Sequence, residues 1–212
     1  MKLLIVSDQE VDLIYSPVIK SQFGDCDMVI SCGDLSYYYL EYIVSSLDVP
    51  LYYVRGNHAF AVEYGCAGEC NAPLGGVNLH QDCVRHESGL LLSGIEGSVR
   101  YNQGPYQYTQ SEMWWMVWRL VPRFLYNRLR YGRYLDIFVT HAPPWKIHDC
   151  EDLPHHGIKA FRWLIKVFRP SFHLHGHTHL SLQNPVAFTT FGTTQVVNVY
   201  GYYRLDVSLQ LP

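Results

Sequence analysis

The stretch Phe172-His173-Leu174-His175-Gly176-His177-Thr178-His179 decides how the fold is read, because a short run passes through a glycine into histidines two residues apart. Alone, histidines at period two on an extended segment are ordinary surface residues. The same pattern recurs upstream: Leu3 to Val6 runs into Asp8 and Glu10, and Met28 to Ser31 into Gly33 and Asp34. Leu51 to Val54 runs into Arg55, Gly56, Asn57 and His58, and Ile137 to Val139 into His141. Short continuous apolar runs bounded by turn residues read as buried strands. Each of these strands therefore ends in polar groups, with Gly33, Gly56 and Gly176 allowing turns that aim them inward.

Leu90 to Leu92 adds a further strand, and helical patterns separate several of them, notably Tyr39 to Leu47 and Ile158 to Phe168, the latter stopped by Pro170. Alternation of strand and helix makes the class α/β. In such sheets the loops at the carboxyl ends of strands line one crevice, so residues far apart in sequence can converge. Val186 to Thr190, Gln195 to Val199 and Arg204 to Leu209 read as a terminal meander with a tight turn at Gly192. Two sheets packed face to face accommodate both halves, and periodicity alone does not distinguish them from one mixed sheet.

With 212 residues, 48% hydrophobic and 17% charged, the chain reads as one domain, 1–212. A net charge of -3 excludes a global field for nucleic acid, so phosphate attraction must be local. The apolar run after Met1 is too short for a secretory signal, and nothing approaches the roughly 20 apolar residues of a membrane span. The expected compartment is the cytoplasm. Six cysteines are too sparse for a disulfide scaffold and read as reduced thiols; Cys66, Cys70, His80, Cys83 and His86 offer a zinc alternative without a recognised spacing.

Carboxylates, imidazoles and one amide form a donor set that suits Mn, Fe or Zn better than a calcium cage or a thiolate zinc site. The order Asp8-x-Glu10, Gly33-Asp34, Gly56-Asn57-His58, Thr140-His141-Ala142-Pro143-Pro144 and His175-Gly176-His177-Thr178-His179 resembles the calcineurin-like metallophosphoesterase family. The resemblance implies an αββα sandwich, two β-sheets flanked by helices, with two divalent metal ions at the strand ends. It implies that Asp8, the residue at position 10 and His179 hold one ion, that Asn57, His141 and His177 hold the other, and that Asp34 bridges them. His58 matches the family's substrate-facing acid. Two positions depart from the pattern: Glu10 stands where the family has histidine, which favours harder ions, and Ala59 stands where its phosphatases often have an acid.

The expectation is a phosphoesterase with manganese as the first candidate metal and Mg, Fe or Zn as alternatives, acting on a small phosphoester such as a nucleotide. A pair of ions would share a hydroxide attacking phosphorus in line, His58 would protonate the departing oxygen, and Arg55 would clamp a non-reacting oxygen. The alternative is an interaction scaffold on the same fold with weak or no catalysis. After His141, the loop carrying His148, Asp149, Asp152, His155 and His156 could support the site, with Asp152 favoured as the cap of a helix beginning near His156.

The segment 110–133 holds Trp114, Trp115, Trp118 and several arginines, and Pro122 suggests two short helices. The favoured reading is an amphipathic cap with tryptophans inward; the sharper one is a lid receiving a nucleotide or lipid phosphate, at a membrane surface in its furthest form.

Overall fold

The computed structural model describes residues 1–59, 62–65, 68–180, 183 and 186–207. In chain order the elements are β1 (Lys2–Ser7), α1 (Ile19–Phe23), β2 (Met28–Ser31), α2 (Tyr37–Leu47), β3 (Leu51–Tyr53), β4 (Glu63–Gly65), β5 (Gly68–Cys70), β6 (Gly76–Asn78), β7 (Cys83–Arg85) and β8 (Leu91–Ile95). They continue as β9 (Ser98–Val99), β10 (Gln107–Tyr108), α3 (Gln110–Tyr131), β11 (Ile137–Thr140), α4 (Lys159–Phe168), β12 (Phe172–His175), β13 (Val186–Phe191), β14 (Thr194–Val199) and β15 (Gly201–Asp206).

Two sheets form the centre. One has the order β15-β1-β2-β3-β6 and the other β13-β14-β12-β11-β8-β7. Within each, the inner strands run parallel, and an antiparallel strand closes an edge: β15 beside β1, β13 beside β14 and β7 beside β8. The period-two alternation of side chains sorts the core into layers. Leu3 and Ile5 of β1 point between the sheets and meet Ile137, Val139 and Leu174. Leu4 and Val6 point the other way and pack with Ile19 of α1 and Leu40 and Ile43 of α2. On the far side, Leu91, Ile95 and Phe138 pack against Val117 and Leu120 of α3 and Phe161 and Leu164 of α4. The architecture is the four-layer sandwich, because both faces of each sheet are apolar and each must be covered.

Several expectations need correction. The carboxyl-terminal strands are not a meander. β13 and β14 do form a hairpin turning at Gly192, whose φ is +65°. After β14 the chain crosses at Gly201, φ +86°, and β15 joins the other sheet beside β1, where Leu205 enters the central core. The segment 110–133 is one helix, α3, with Pro122 inside it. Met113, Met116, Val117, Leu120 and Phe124 keep one continuous buried stripe across the proline, and a capping box from Thr109 and Glu112 starts the helix while Gly132 ends it. Burial of that stripe outweighs the roughly 3 kcal/mol that an interior proline costs. Nor do its tryptophans all turn inward: Trp115 faces solvent, whereas Trp114 and the half-exposed Trp118 both pack on Trp163 of α4. Helix α3 packs on the outer face of the second sheet, and Gln110 at its start is bonded to Gly157 and Lys159 at the end of the loop that follows β11.

The proposed cap on α4 is also absent. Ile158 is its N-cap without a side-chain bond, Gln110 of α3 accepts from Lys159 N, and the Asp152 carboxylate pairs with His155. Among the described residues no helix is long and apolar enough to cross a membrane.

Candidate metal centre

The carboxyl ends of β1, β2 and β3 in one sheet face those of β11 and β12 in the other, and the candidate ligands sit just beyond them. Three are held in left-handed backbone conformations that L-residues seldom adopt: Asp8 at φ 61°, Asp34 at φ 55° and His177 at φ 68°. Packing above the strand ends enforces these turns. A Cβ on Gly176 would lie 2.0 Å from Ser7 Oγ and 2.2 Å from Asp8 Oδ2, so only a glycine lets the β12 loop approach Asp8.

His141 is the hub. Its Nδ1–H donates to the Cys32 carbonyl at 2.9 Å, which leaves Nε2 facing the cluster. That single atom lies 3.0 Å from Asn57 Oδ1, 3.0 Å from Asp34 Oδ2 and 3.1 Å from His177 Nδ1. His177 is oriented in the same way, since its Nε2–H donates to the Pro154 carbonyl at 2.7 Å and leaves Nδ1 as a lone pair. One N–H can satisfy only one of the three acceptors around it well, so the lone pairs are over-supplied. A cation among them would satisfy all.

The charge states agree with that geometry. Burial alone would lower His141, yet the Asp34 carboxylate and its hydrogen bond prevail and push it up to about 9. Burial likewise opposes charge on Asp34, while His141 and the His58 N–H hold it down at about 2. Burial and the adjacent His141 bring His177 down to about 3. Among the described residues, Asp34, His141 and His177 are the one group of acidic, thiol or imidazole ligands whose donor atoms all lie within 4.8 Å of one another.

Asp8 extends the group. Its Oδ2 accepts from Ser7 Oγ at 2.6 Å and from His177 N at 2.9 Å, whereas Oδ1 is buried without a hydrogen-bond partner. An orphaned carboxylate oxygen beside Asp34 suits a cation. His179 stands at the rim, 61% exposed, with Nε2 3.9 Å from Asp8 Oδ1 and its ring against Tyr200. Glu10 is turned aside: its carboxylate accepts from Ser36 Oγ at 2.5 Å, on the residue that caps α2.

Of the two residues assigned to chemistry, His58 is exposed and its N–H donates to Asp34 Oδ1 at 2.8 Å. It lines a cleft of about 310 Å³ with Asn57, Tyr101, Asn102 and Gln107. Arg55 is occupied elsewhere. Its guanidinium donates to Tyr37 Oη at 3.1 Å and the Asn71 carbonyl at 2.8 Å, reaches Glu96 at 3.5 Å, and lies over the Tyr106 ring.

Several contributors carried no strand-end signal. Tyr101 Oη accepts from Asn57 Nδ2 at 3.1 Å, fixing the amide so that its oxygen faces His141. The His155 ring lies 5.0 Å from that of His177. His148, on the same loop, meets His175 Nε2 at 3.0 Å and Thr189 Oγ1 at 2.8 Å, while Asp149 accepts from Gly157 N. The zinc alternative has no support among the described residues. Cys83 Sγ accepts from Asn127, His86 bonds Ser88, Cys70 is free, and Cys66 lies outside the described residues.

The model of the calcineurin-like phosphoesterase family matches residues 10–181. Among curated proteins none matches the chain. Among solved structures the chain is similar to TT1561 of Thermus thermophilus, with 16% identity, a TM-score of 0.63, and 93% of this chain and 88% of that one covered. It is also similar to GAP50, described as the anchor in the inner membrane complex of Plasmodium, with 12% identity, a TM-score of 0.53, and 94% and 71% covered. At these identities the likeness is one of fold.

Proposed function

The chain belongs to the calcineurin-like phosphoesterase family, and from that premise we propose that it hydrolyses small phosphoesters with two divalent metal ions held at the junction of the two sheets. In this reading Asp34, Asn57, His141 and His177 would hold one ion, and Asp8, Asp34 and His179 would hold the other. When bound, the ions supply the Lewis acidity that polarises a phosphoryl group and acidifies water. The convergence of three acceptors on His141 Nε2 carries the proposal.

His58, at the mouth of the cleft, protonates the departing oxygen. Its backbone bond to Asp34 ties its position to the metal group. Tyr101 keeps the Asn57 oxygen turned inward, and the Cys32 and Pro154 carbonyls keep the two imidazoles in their ligating tautomers. We assign Arg55 to holding this loop rather than to substrate, because its donors already have protein acceptors. Glu10, a hard oxygen ligand, would join the site of Asp8 and His179 only by leaving Ser36. Manganese is the metal we favour, and five described cysteines left free fit a reducing cytoplasm.

Metal content together with hydrolysis of bis-p-nitrophenyl phosphate and p-nitrophenyl phosphate in Mn, Mg and Zn tests the reading. Metal-dependent turnover of either ester is expected. Two bound ions without turnover of any ester would leave the interaction scaffold, which the diversion of Glu10 and the exposure of His179 favour.

A further inference from the structure

Helix α3 buries one face and leaves the opposite face apolar as well. Trp115, Trp118, Leu125, Tyr126 and Leu129 are 66%, 51%, 50%, 60% and 89% exposed, and their spacing puts them on a single outward stripe. An amphipathic surface helix would place charge there. The charge lies at the margins instead, as Arg119, Arg123, Arg128 and Arg130. The one acidic residue of the helix, Glu112, is engaged by Thr109 and Arg100. The helix is thus strongly positive on a chain whose net charge is -3.

An apolar stripe edged with arginines fits a partner that is both apolar and anionic. A second copy fits poorly, because a symmetric contact would set this arginine-rich helix against itself without compensating carboxylates. A small anionic ligand would leave the tryptophans and leucines in water. We propose that the outward face of α3 docks on an anionic lipid bilayer surface. Trp115 and Leu129 enter the interfacial layer, the half-exposed Trp118, packed on Trp163, lies beside them, and Arg119 and Arg130 meet the headgroups. Arg123 and Arg128 contribute less, being engaged with Asp82 and with the Gly132 carbonyl.

The full chain is sedimented with vesicles of phosphatidylcholine alone and of phosphatidylcholine containing about one third phosphatidylglycerol. Binding to the anionic vesicles alone, weakened by salt, is expected. The solvent-facing pair Trp115→Ser with Leu129→Ser, and separately Arg119→Glu with Arg130→Glu, should each lower partitioning about tenfold or more. Circular dichroism and metal content should stay unchanged, so a loss reports the face and not the fold. The proposal is overturned if the unaltered chain ignores anionic vesicles or if neither pair changes binding. It is equally overturned if ultracentrifugation finds a dimer that Trp115→Ser with Leu129→Ser abolishes, which would assign the face to a second copy. Because no ester is turned over in these measurements, their outcome is separate from that of the hydrolase reading.

Discussion

At the scale of single residues, the centre depends on which atom of each imidazole is left free. His141→Ala removes the hub and Asp34→Asn removes the carboxylate shared by both proposed sites, so each should lose bound metal and nearly all turnover, read by metal analysis and ester hydrolysis. His58→Ala should retain metal yet slow turnover by about a hundredfold or more, most for alkyl esters that need protonation of the leaving oxygen. Undiminished hydrolysis of an alkyl ester by that variant would remove His58 from the chemistry.

The same histidines predict how the metal-free chain responds to pH. His141 is raised in the fold to about 9, so its contribution is fully present below about 6.5 and disappears as pH rises through 9. His173 and His177, both brought down to about 3 first of all by burial, act in the opposite sense, along with His175, which is also depressed. They take up protons on unfolding as pH falls below about 6.5, and stability declines toward pH 3. Thermal unfolding in chelator should therefore peak near pH 6.5. A melting temperature still climbing between pH 7 and 9 would contradict the His141–Asp34 pairing.

At the scale of elements, α3 shows how tertiary burial overrides a local rule. Pro122 leaves the Trp118 carbonyl without its helical N–H, and its own ring is exposed, so replacing it removes no core packing. Pro122→Ala should stabilise the chain by about 1 to 2 kcal/mol, the gain in the helix being partly offset by a freer unfolded chain. Phe124→Ala should instead cost about 3 to 5 kcal/mol, since its ring is wholly buried against Phe168. Urea unfolding would measure both.

Across the whole molecule, the proposed metal centre sits where two separate sheets meet. Asp8, Asp34 and Asn57 follow strands of one sheet, and His141 and His177 follow strands of the other. A cation bound among them would tie the halves together and stabilise the fold by mass action, by about 2.7 kcal/mol at a hundredfold excess over its dissociation constant. Manganese should raise the melting temperature of the intact chain but not that of His141→Ala. An equal rise in both would place the ion elsewhere.

The sequence by itself determined most strands of the two central sheets and the polar residues at their ends, because buried strands are largely apolar and strand-end ligands interrupt that composition abruptly. The short strands β6 and β7 at the sheet edges carry no such run. Met28–Ser31 has the same bounds in both, and α2 and the first central strands differ by a residue or two. Only the tertiary structure decided what depends on contacts distant in the chain. It sent β15 to the opposite sheet, kept α3 whole across Pro122, turned Trp115 outward, drew Glu10 onto Ser36, and brought in Tyr101 and the Pro154 carbonyl. None of these has a local period, since each is settled by which surface or acceptor happens to lie opposite once the two sheets have packed.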